Sequence, residues 1–368
     1  MKKILISLVS KEVFPAYYSI SEFNPDIVYL IGTKETYSGM NRIKNVAQSE
    51  QCEVKTNTVS AYDIEGCAKM CDRIHEENGA DCEYIYNLTL GTKLMAFGAM
   101  DSAQRHNAKM IYTTPAECID ISRLSRTPLL CKISFEEMFK LQGQILKEYE
   151  IYEHDEARTE CVNDIRLFFK NSPKAYNTLK KEYDRHTQIR PEFYDPRTNY
   201  TRYGGVTRIE YDDVEVFCSD KKGVTKFLFE GRWWEALVAD ATAKWADGRY
   251  EIWTGVKFEP KNKTINQNRV ESKDIKNEID VLVNLGTTML FIECKSGLIT
   301  QDNISKLNTV RQTYGSYQSK AIIISYNNVK AELHEKADEN NIDIFEAPNG
   351  NLAKLPEYLN NIIKSLKA

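Results

Sequence analysis

The sequence predicts an α/β protein with two sheets, a parallel one near the N-terminus and a mixed one near the C-terminus. Short apolar runs alternate with helical patterns over the first third of the chain, and apolar strands flanked by amphipathic helices return after residue 220. The chain has 368 residues, a length typical of two or three domains. We expect domains at 1–130 and 221–368, with a connector at 131–220.

The composition is that of an ordinary globular protein, with 42% hydrophobic and 28% charged residues. This excludes a largely disordered or fibrous chain. No apolar run approaches the roughly 20 residues that a membrane helix needs, so we expect no membrane association. The first apolar run ends at Val9, directly before charged residues, which favours a buried strand over a signal peptide. Nine cysteines without a C-x-x-C pair indicate reduced thiols and a cytoplasmic location.

Strand and helix patterns alternate regularly in the first third of the chain. Five strands are predicted, at 3–9, 26–31, 53–59, 83–88 and 109–113. Helical patterns fall between them, at 37–50, 63–78 and 92–106. Such alternation predicts a parallel sheet with right-handed crossovers, which is a Rossmann-like domain.

Ligands of parallel sheets bind beyond the carboxyl ends of the strands. The segment after the fourth predicted strand is Asn-Leu-Thr-Leu-Gly-Thr-Lys, residues 87–93. Gly91 lets the backbone approach a ligand, Thr92 can cap the next helix, and Lys93 adds positive charge at its start. This pattern suits a phosphate group, although an ordinary capped turn would read the same way. Neither a P-loop nor a G-x-G-x-x-G motif is present, so a dinucleotide cofactor is not favoured.

The middle of the chain reads as a connector. Helices are predicted at 134–150, 156–170 and 173–189, followed by a hairpin over 206–217. Asp212-Asp213 lies at the centre of that hairpin, and we interpret the pair as a turn rather than a metal site.

The last part of the chain carries the clearest chemical pattern. It has 21 basic and 19 acidic residues, net +2, within a chain of net charge −4, so this part is the better place for a polyanion. An amphipathic helix is predicted over 230–246, with Glu235 in its first turn and Trp233, Trp234 and Trp245 in the core. Strands at 250–258, 276–285, 288–297 and 321–326, a helix at 302–317, and a polar loop with Lys261, Lys263, Arg269 and Lys273 complete this part.

Three charged residues lie inside or at the end of apolar strands. Asp280 stands between Ile279 and Val281, while Glu293 and Lys295 flank Cys294 on one face of the next strand. Carboxylates on adjacent strands can hold Mg²⁺ or Mn²⁺. A lysine beside them can orient a water and stabilise charge on phosphorus. Glu235 can complete the ligand set. The alternatives are a salt-bridged sheet edge and, for Glu235, a solvated helix start.

This pattern resembles the PD-(D/E)xK nuclease superfamily, in which the order helix, three strands, helix, strand also recurs. The resemblance implies that Asp280 and Glu293 are metal ligands, with Glu235 a third, and that Lys295 is the catalytic lysine. A polar residue on the later helix, often glutamine, supports the lysine or the phosphate in that superfamily. Gln312 is the corresponding candidate here.

The two ends together resemble the CARF-domain nucleases of type III CRISPR systems, with a restriction-endonuclease-like domain after the sensor. The resemblance implies a homodimer that binds a cyclic oligoadenylate, usually the tetra-adenylate, and a Mn²⁺- or Mg²⁺-dependent nuclease of low sequence specificity acting on DNA or RNA. The implied ligand contacts are Ser10, Thr33, Asn87, Thr89, Gly91, Thr92 and Lys93. Leu90 stands where that family is expected to have the first glycine of Gly-Gly-Thr-Lys.

Two other functions remain open from the sequence. One is a repair or restriction endonuclease that senses no messenger, for which Lys93 would be irrelevant. The other is a non-catalytic, ligand-responsive regulator that only binds DNA. The intact set of Asp280, Glu293 and Lys295 argues against the second.

Overall fold

The structure is a computed structural model that describes residues 1–48, 52–186, 192–221, 224–259 and 278–367. The four basic residues of the predicted polar loop, at 261, 263, 269 and 273, lie outside the described residues. Across the parts of the chain that are described, no helix is both long and apolar enough to cross a membrane.

The N-terminal part forms one sheet of seven strands. The strands are β1 (Lys2–Leu8), β2 (Ile27–Gly32), β3 (Glu53–Thr58), β4 (Cys82–Asn87), β5 (Lys109–Thr113), β6 (Glu117–Asp120) and β7 (Ser125–Pro128). Their order is β3-β2-β1-β4-β5-β6-β7. Pairing is parallel up to β5 and antiparallel for β6 and β7. The predicted Rossmann-like domain is confirmed. The β6–β7 hairpin was not predicted from the sequence.

Helices cover both faces of this sheet. They are α1 (Phe14–Phe23), α2 (Tyr37–Ala47), α3 (Ile64–Asn78) and α4 (Lys93–Arg105). Helix α3 begins where the side chain of Asp63 accepts a hydrogen bond from the Gly66 amide at 2.8 Å, and it ends before Gly79, whose φ is 82°. Cys67 and Cys71 are buried one turn apart on the same face of this helix.

The middle of the chain folds into helices and a small antiparallel sheet. The elements are α5 (Phe135–Gln142), α6 (Glu156–Asn171), α7 (Pro173–His186), β9 (Glu192–Asp195), β10 (Thr198–Tyr203), β11 (Val206–Tyr211), β12 (Val214–Ser219) and α8 (Val224–Glu230). The hairpin predicted around Asp212-Asp213 is β11–β12, and both aspartates have positive φ, as turn residues do.

The helix predicted over 134–150 is wrong in its second half. Helix α5 ends before Gly143, which adopts a left-handed conformation, and the chain then enters strand β8 (Leu146–Ile151). Strand β8 pairs antiparallel with a strand that lies a hundred residues later. Its partner lies far away in sequence, so local helical propensity of this charged segment gave the wrong prediction.

The C-terminal sheet is mixed, as predicted. Besides β8 it contains β13 (Glu251–Phe258), β14 (Glu278–Asn284), β15 (Met289–Lys295), β16 (Lys320–Ser325) and β17 (Asp343–Glu346). The order is β17-β16-β15-β14-β13-β8, with parallel pairs between β15, β16 and β17. Helices α9 (Arg232–Ala246) and α12 (Leu355–Lys367) share one hydrophobic core with this sheet, while α10 (Gln301–Tyr314) and α11 (Ala331–Glu339) share the other.

The two sheets are joined by a buried junction. The Tyr18 hydroxyl on α1 donates to the carbonyl oxygen of Thr287 at 2.8 Å, and the Thr287 hydroxyl donates to the Pro115 carbonyl at 2.5 Å. Asn284 Nδ2 donates to the Ile133 carbonyl at 2.8 Å. Thr287 lies in the turn between β14 and β15. The N-terminal domain therefore contacts the hairpin that carries the predicted catalytic residues.

Candidate active site and candidate ligand site

Glu235 is placed by a helix start that is anchored in the core. Gly231 precedes α9 with a left-handed φ of 80°, and the next turn inserts Trp233 and Trp234 into the core. The indole nitrogen of Trp234 donates to the Ile324 carbonyl at 3.1 Å, which fixes the helix on the sheet. Glu235 follows directly and lies half-buried at the edge of a cavity. The prediction that Trp233, Trp234 and Trp245 belong to the core is confirmed.

The strand register brings Asp280, Glu293 and Lys295 together. Val281 pairs with Ile292 across β14 and β15, so Asp280 and Glu293 occupy neighbouring positions on the two strands. Asp280 Oδ2 accepts a hydrogen bond from the Cys294 amide at 2.7 Å. Lys295 Nζ donates to Glu293 Oε1 at 2.5 Å. The site is a compact group of two carboxylates and one ammonium at the carboxyl end of β15.

Burial and mutual repulsion disfavour the charged forms of these acidic groups. Burial, followed by the charge of Glu278, raises the pKa of Glu235 to about 7. Burial, followed by the charges of Glu293 and Glu235, raises the pKa of Asp280 well above its ordinary value. Burial disfavours the charged form of Lys295, but the carboxylate of Glu293 outweighs it and raises the pKa of that lysine. A positive charge placed among the carboxylates would relieve their repulsion.

The donor set fits a divalent cation in chemistry and charge. Three carboxylates supply the oxygen ligands that Mg²⁺ and Mn²⁺ prefer. Among the described residues, however, no group of three acidic, histidine or cysteine side chains is close enough to hold a metal ion. The carboxylates therefore suit a cation without forming a finished coordination sphere.

A cavity of about 550 Å³ opens beside Glu235 and Asp280. Its walls carry Glu278 from β14, Arg232 from α9 and Lys257 from β13, together with strand β8. Glu278 was missed by the sequence reading. It stands two residues before Asp280, so period-two alternation places it on the same face of β14 and would have identified it.

Gln312 is not brought close to the other predicted site residues. Helix α10 starts a few residues beyond Lys295 and runs back towards the beginning of the parallel strand β16. Gln312 lies in its last turns, about 16 Å along the helix from its start at 1.5 Å per residue. The side chain is exposed, and within the described parts of the chain no hydrogen bond or ion pair joins it to Glu293 or Lys295. Gln312 therefore lies apart from the start of α10, and its supporting role stays a prediction.

The predicted ligand residues of the N-terminal domain share one edge of the sheet. Ser10, Thr33 and Thr89 follow β1, β2 and β4, which are adjacent parallel strands. A side chain on Gly91 would lie 3.2 Å from Leu8 Cβ, and its φ of +82° suits glycine. The turn after β4 therefore lies directly against the end of β1.

Several of these residues are occupied by internal hydrogen bonds. Asn87 is fully buried; its Nδ2 donates to the Pro15 carbonyl and to Ser19 Oγ, both at 2.9 Å, and its Oδ1 accepts from the Thr89 hydroxyl at 2.5 Å. Thr92 caps α4 by accepting from the Met95 amide at 3.2 Å. Their contribution to a ligand site is to shape the turn rather than to present a free polar group.

The remaining ligand candidates are arranged differently. Ser10 Oγ accepts a hydrogen bond from the Glu12 amide at 3.2 Å, which closes the turn after β1. The Thr33 amide donates to Thr36 Oγ1 at 2.8 Å. Lys93, at the start of α4, is exposed. Lys93 is therefore the candidate with a charged group accessible to an anion at this edge.

Comparison with known proteins identifies the N-terminal domain. Residues 4–137 match the family model of the Card1 CARF domain. The N-terminal Rossmann-like domain is thus a CARF domain. None of the curated protein sequences is a significant match to the chain.

Solved structures extend the fold to the whole chain. Can2 from Sulfobacillus thermosulfidooxidans, in complex with cyclic tetra-adenylate, is 16% identical with a TM-score of 0.73, and the alignment covers 100% of both chains. Protein VC1899 from Vibrio cholerae is 12% identical with a TM-score of 0.73, covering 99% of this chain and 98% of that one. A type III CRISPR defence DNA nuclease activated by cyclic oligoadenylate is 15% identical with a TM-score of 0.64, covering 98% of this chain and 52% of that one. These likenesses show that the fold of the chain is shared with these proteins.

Proposed function

We propose that this chain is a nuclease of PD-(D/E)xK type that a cyclic oligoadenylate activates, acting in type III CRISPR defence. The observation that carries the proposal is the joint placement of Asp280, Glu293 and Lys295 at the end of β15, in a chain whose N-terminal domain is a CARF domain. The similarity to Can2 with bound cyclic tetra-adenylate supports the ring of four as the activator.

The catalytic residues divide into binding and proton-handling roles. Asp280, Glu293 and Glu235 would hold a Mg²⁺ or Mn²⁺ ion, which when bound polarises the phosphate and a water molecule. Lys295, held by Glu293 at 2.5 Å, would orient the attacking water and stabilise charge developing on phosphate oxygen.

The CARF edge of the sheet would take the messenger. Lys93 and the amide-rich start of α4 favour phosphate. A ring with two-fold symmetry matches a homodimer that presents the same edge twice. Differential affinity for one arrangement of the dimer would then set nuclease activity.

The test is a cleavage assay with Mn²⁺ or Mg²⁺ on supercoiled plasmid, single-stranded DNA and single-stranded RNA. Each reaction is run alone, with cyclic tetra-adenylate and with cyclic hexa-adenylate. Cleavage that requires one ring supports both halves of the proposal and identifies the substrate. Cleavage that is indifferent to every ring contradicts the messenger half, and no cleavage of any substrate contradicts the catalytic half.

Lys93→Gln is expected to raise the ring concentration for half-maximal activation about tenfold, because a charge-assisted hydrogen bond is worth roughly 1.5–3 kcal/mol. Cleavage at saturating ring should be unchanged. The matched control is Lys69→Gln, an exposed lysine on the neighbouring helix α3 that pairs with Glu65. Equal titration curves for wild type, variant and control would remove Lys93 from the ligand site.

The stability of the metal-free protein is expected to fall as pH rises from about 5 to about 7. Since Glu235 has a pKa of about 7 instead of 4.5, the folded state keeps a proton that the unfolded chain has already lost, and ionisation then costs stability. Asp280 acts in the same direction. The effect is measured as the melting temperature across this pH range, with and without Mn²⁺. A concentration of about 1 mM supplies an excess of the ion.

Mn²⁺ should raise the melting temperature more at pH 8 than at pH 5.5, because cation binding requires the ionised carboxylates. Glu235→Gln cannot ionise, so it should flatten the pH dependence of the metal-free protein and reduce the Mn²⁺ response. An identical pH profile for wild type and Glu235→Gln would contradict the raised pKa.

A further inference from the structure

A second cavity lies beyond the active site, between α6, α9 and the turn at 348–352. Its volume is about 560 Å³. Positive and amide groups dominate its walls: Asn163, Arg166, Lys170, Lys244, Asn349 and Asn351. Such a combination presents hydrogen-bond donors and positive charge to the interior, which suits an anion.

Arg166 has an unfilled bonding capacity at this cavity. Its Nε is buried and has no hydrogen-bond partner among the described residues, and none of the ion pairs found there involves its guanidinium. A side chain at Gly350, which has a φ of +73°, would lie 3.0 Å from Arg166 Cδ. Glycine at this position therefore lets the arginine lie against the backbone of the turn.

Tyr326 supplies a second unpartnered donor next to Arg166. Its side chain is 4% exposed, and in the described part of the structure its hydroxyl has no partner. A Cβ atom at Gly350 would lie 3.1 Å from Tyr326 Cε2, so the tyrosine ring and Arg166 lie against the same point of the turn. Buried polar groups in proteins are nearly always hydrogen-bonded, so two orphaned donors side by side indicate a missing acceptor.

The one acidic residue of the cavity wall is already neutralised. Asp240 accepts from Lys244 Nζ at 2.7 Å and from the Tyr152 hydroxyl at 3.1 Å, and it contacts His154 Nδ1 at 2.9 Å. Arg166 and Lys170 have no carboxylate partner within the described ranges. The cavity therefore presents net positive charge.

The second cavity shares two helices with the active-site cavity. On α6, Arg158 lines the active-site cavity, and Asn163, Arg166 and Lys170 follow along the helix to line the second one. On α9, Arg232, Glu235, Ala236 and Ala239 line the first cavity, and Leu237, Asp240, Ala241 and Lys244 line the second. The two cavities therefore lie on different sides of the helix that carries Glu235.

We propose that the second cavity binds a backbone phosphate of the nucleic-acid substrate away from the cleaved bond. The proposal rests on the proposed function and adds a binding site to it. Arg166 and Lys170, which both line the cavity, contact the phosphate. The site reads no base, so it contributes affinity without sequence preference.

The proposal is tested by fluorescence anisotropy of labelled single strands in the presence of Ca²⁺. One strand has about 15 nucleotides and the other about four, at roughly 3.4 Å per nucleotide. Lys170→Gln and Arg166→Gln should each weaken binding of the long strand several-fold and reduce the slope of log K against log salt by about 1. Binding of the short strand should not change. Arg166→Lys, which keeps the charge but loses Nε, should be intermediate.

The matched control is Lys336→Gln on α11, a helix on the opposite face of the sheet. Lys170 is exposed, so its substitution leaves folding intact. Unchanged affinity and salt slope for both cavity variants, or no strand binding by the wild type, would overturn the proposal. Phosphate-dependent thermal stabilisation through Arg166 without any effect on strand binding would assign the cavity to a free anion and overturn it as well.

Cleavage is measured separately on the same variants. If the wild type binds the long strand through Arg166 and Lys170 but cuts no substrate, the nuclease proposal fails while the phosphate site stands. If it cuts long and short strands equally well in all variants, the phosphate site fails while the nuclease proposal stands.

Discussion

Glu293→Gln is expected to reduce ring-activated cleavage by at least about a hundredfold, the scale seen when one preorganised charged partner of a transition state is removed. The substitution keeps the shape of the side chain but removes a negative charge from the group formed with Asp280 and Lys295. It weakens the hold on the cation and replaces the charged 2.5 Å contact with Lys295 by a neutral acceptor. The rate at saturating ring and saturating Mn²⁺ measures the loss.

Three properties separate this outcome from misfolding. The melting temperature of Glu293→Gln should stay close to that of wild type or rise, because one of the mutually repelling buried charges is gone. Binding of the cyclic oligoadenylate, measured by calorimetry, should be unchanged. Glu332→Gln on the exposed surface of α11 is the control for loss of a carboxylate. Wild-type cleavage by Glu293→Gln would refute the assignment of the active site to β14 and β15.

The strands that carry this site could be predicted because their sequences leave few alternatives. Asp280, Glu293 and Lys295 sit in apolar runs in which a charge has no reason to be unless it is paired or functional. The turn between the runs is short, so the strands must pair with each other and the charges must meet. Local pattern alone therefore determined this part of the site.

The parts that were missed depend on contacts distant in sequence. Strand β8 is held by β13, a hundred residues away, and its isolated sequence is also compatible with a helix. The position of Gln312 followed from where α10 begins and in which direction it runs, which spacing cannot give. Glu278 was accessible to period-two reasoning but was overlooked in favour of its neighbour Asp280.

The ligand edge shows a different limit. Strand ends and a glycine could be recognised from sequence, and the structure brings them to one edge. The sequence could not show that the Asn87 amide donates to Pro15 and Ser19, or that Thr92 is a helix cap. Residue type alone does not distinguish a polar group that faces a ligand from one that holds the turn in place.

Tyr18→Phe is expected to separate messenger binding from nuclease activation. The fully buried hydroxyl of Tyr18 donates to the Thr287 carbonyl at 2.8 Å, and its loss leaves that carbonyl unsatisfied at a cost of about 1–3 kcal/mol. Helix α1 also contacts the candidate ligand edge, because Asn87 and Thr113 both donate to the Pro15 carbonyl. The helix thus connects that edge with the turn before β15.

If activation passes through this connection, Tyr18→Phe should bind the ring with wild-type affinity yet show about tenfold weaker stimulation of cleavage, the loss expected from about 1.4 kcal/mol of coupling. Tyr84→Phe is the matched control, because its hydroxyl donates to the Gly79 carbonyl at 2.8 Å within the CARF domain alone. It should lose comparable stability without losing stimulation. Equal stimulation in both variants would show that the two domains communicate by another route. The alternative is a change in the relative orientation of whole subunits, because a rigid-body rotation requires no hydrogen bond at this junction.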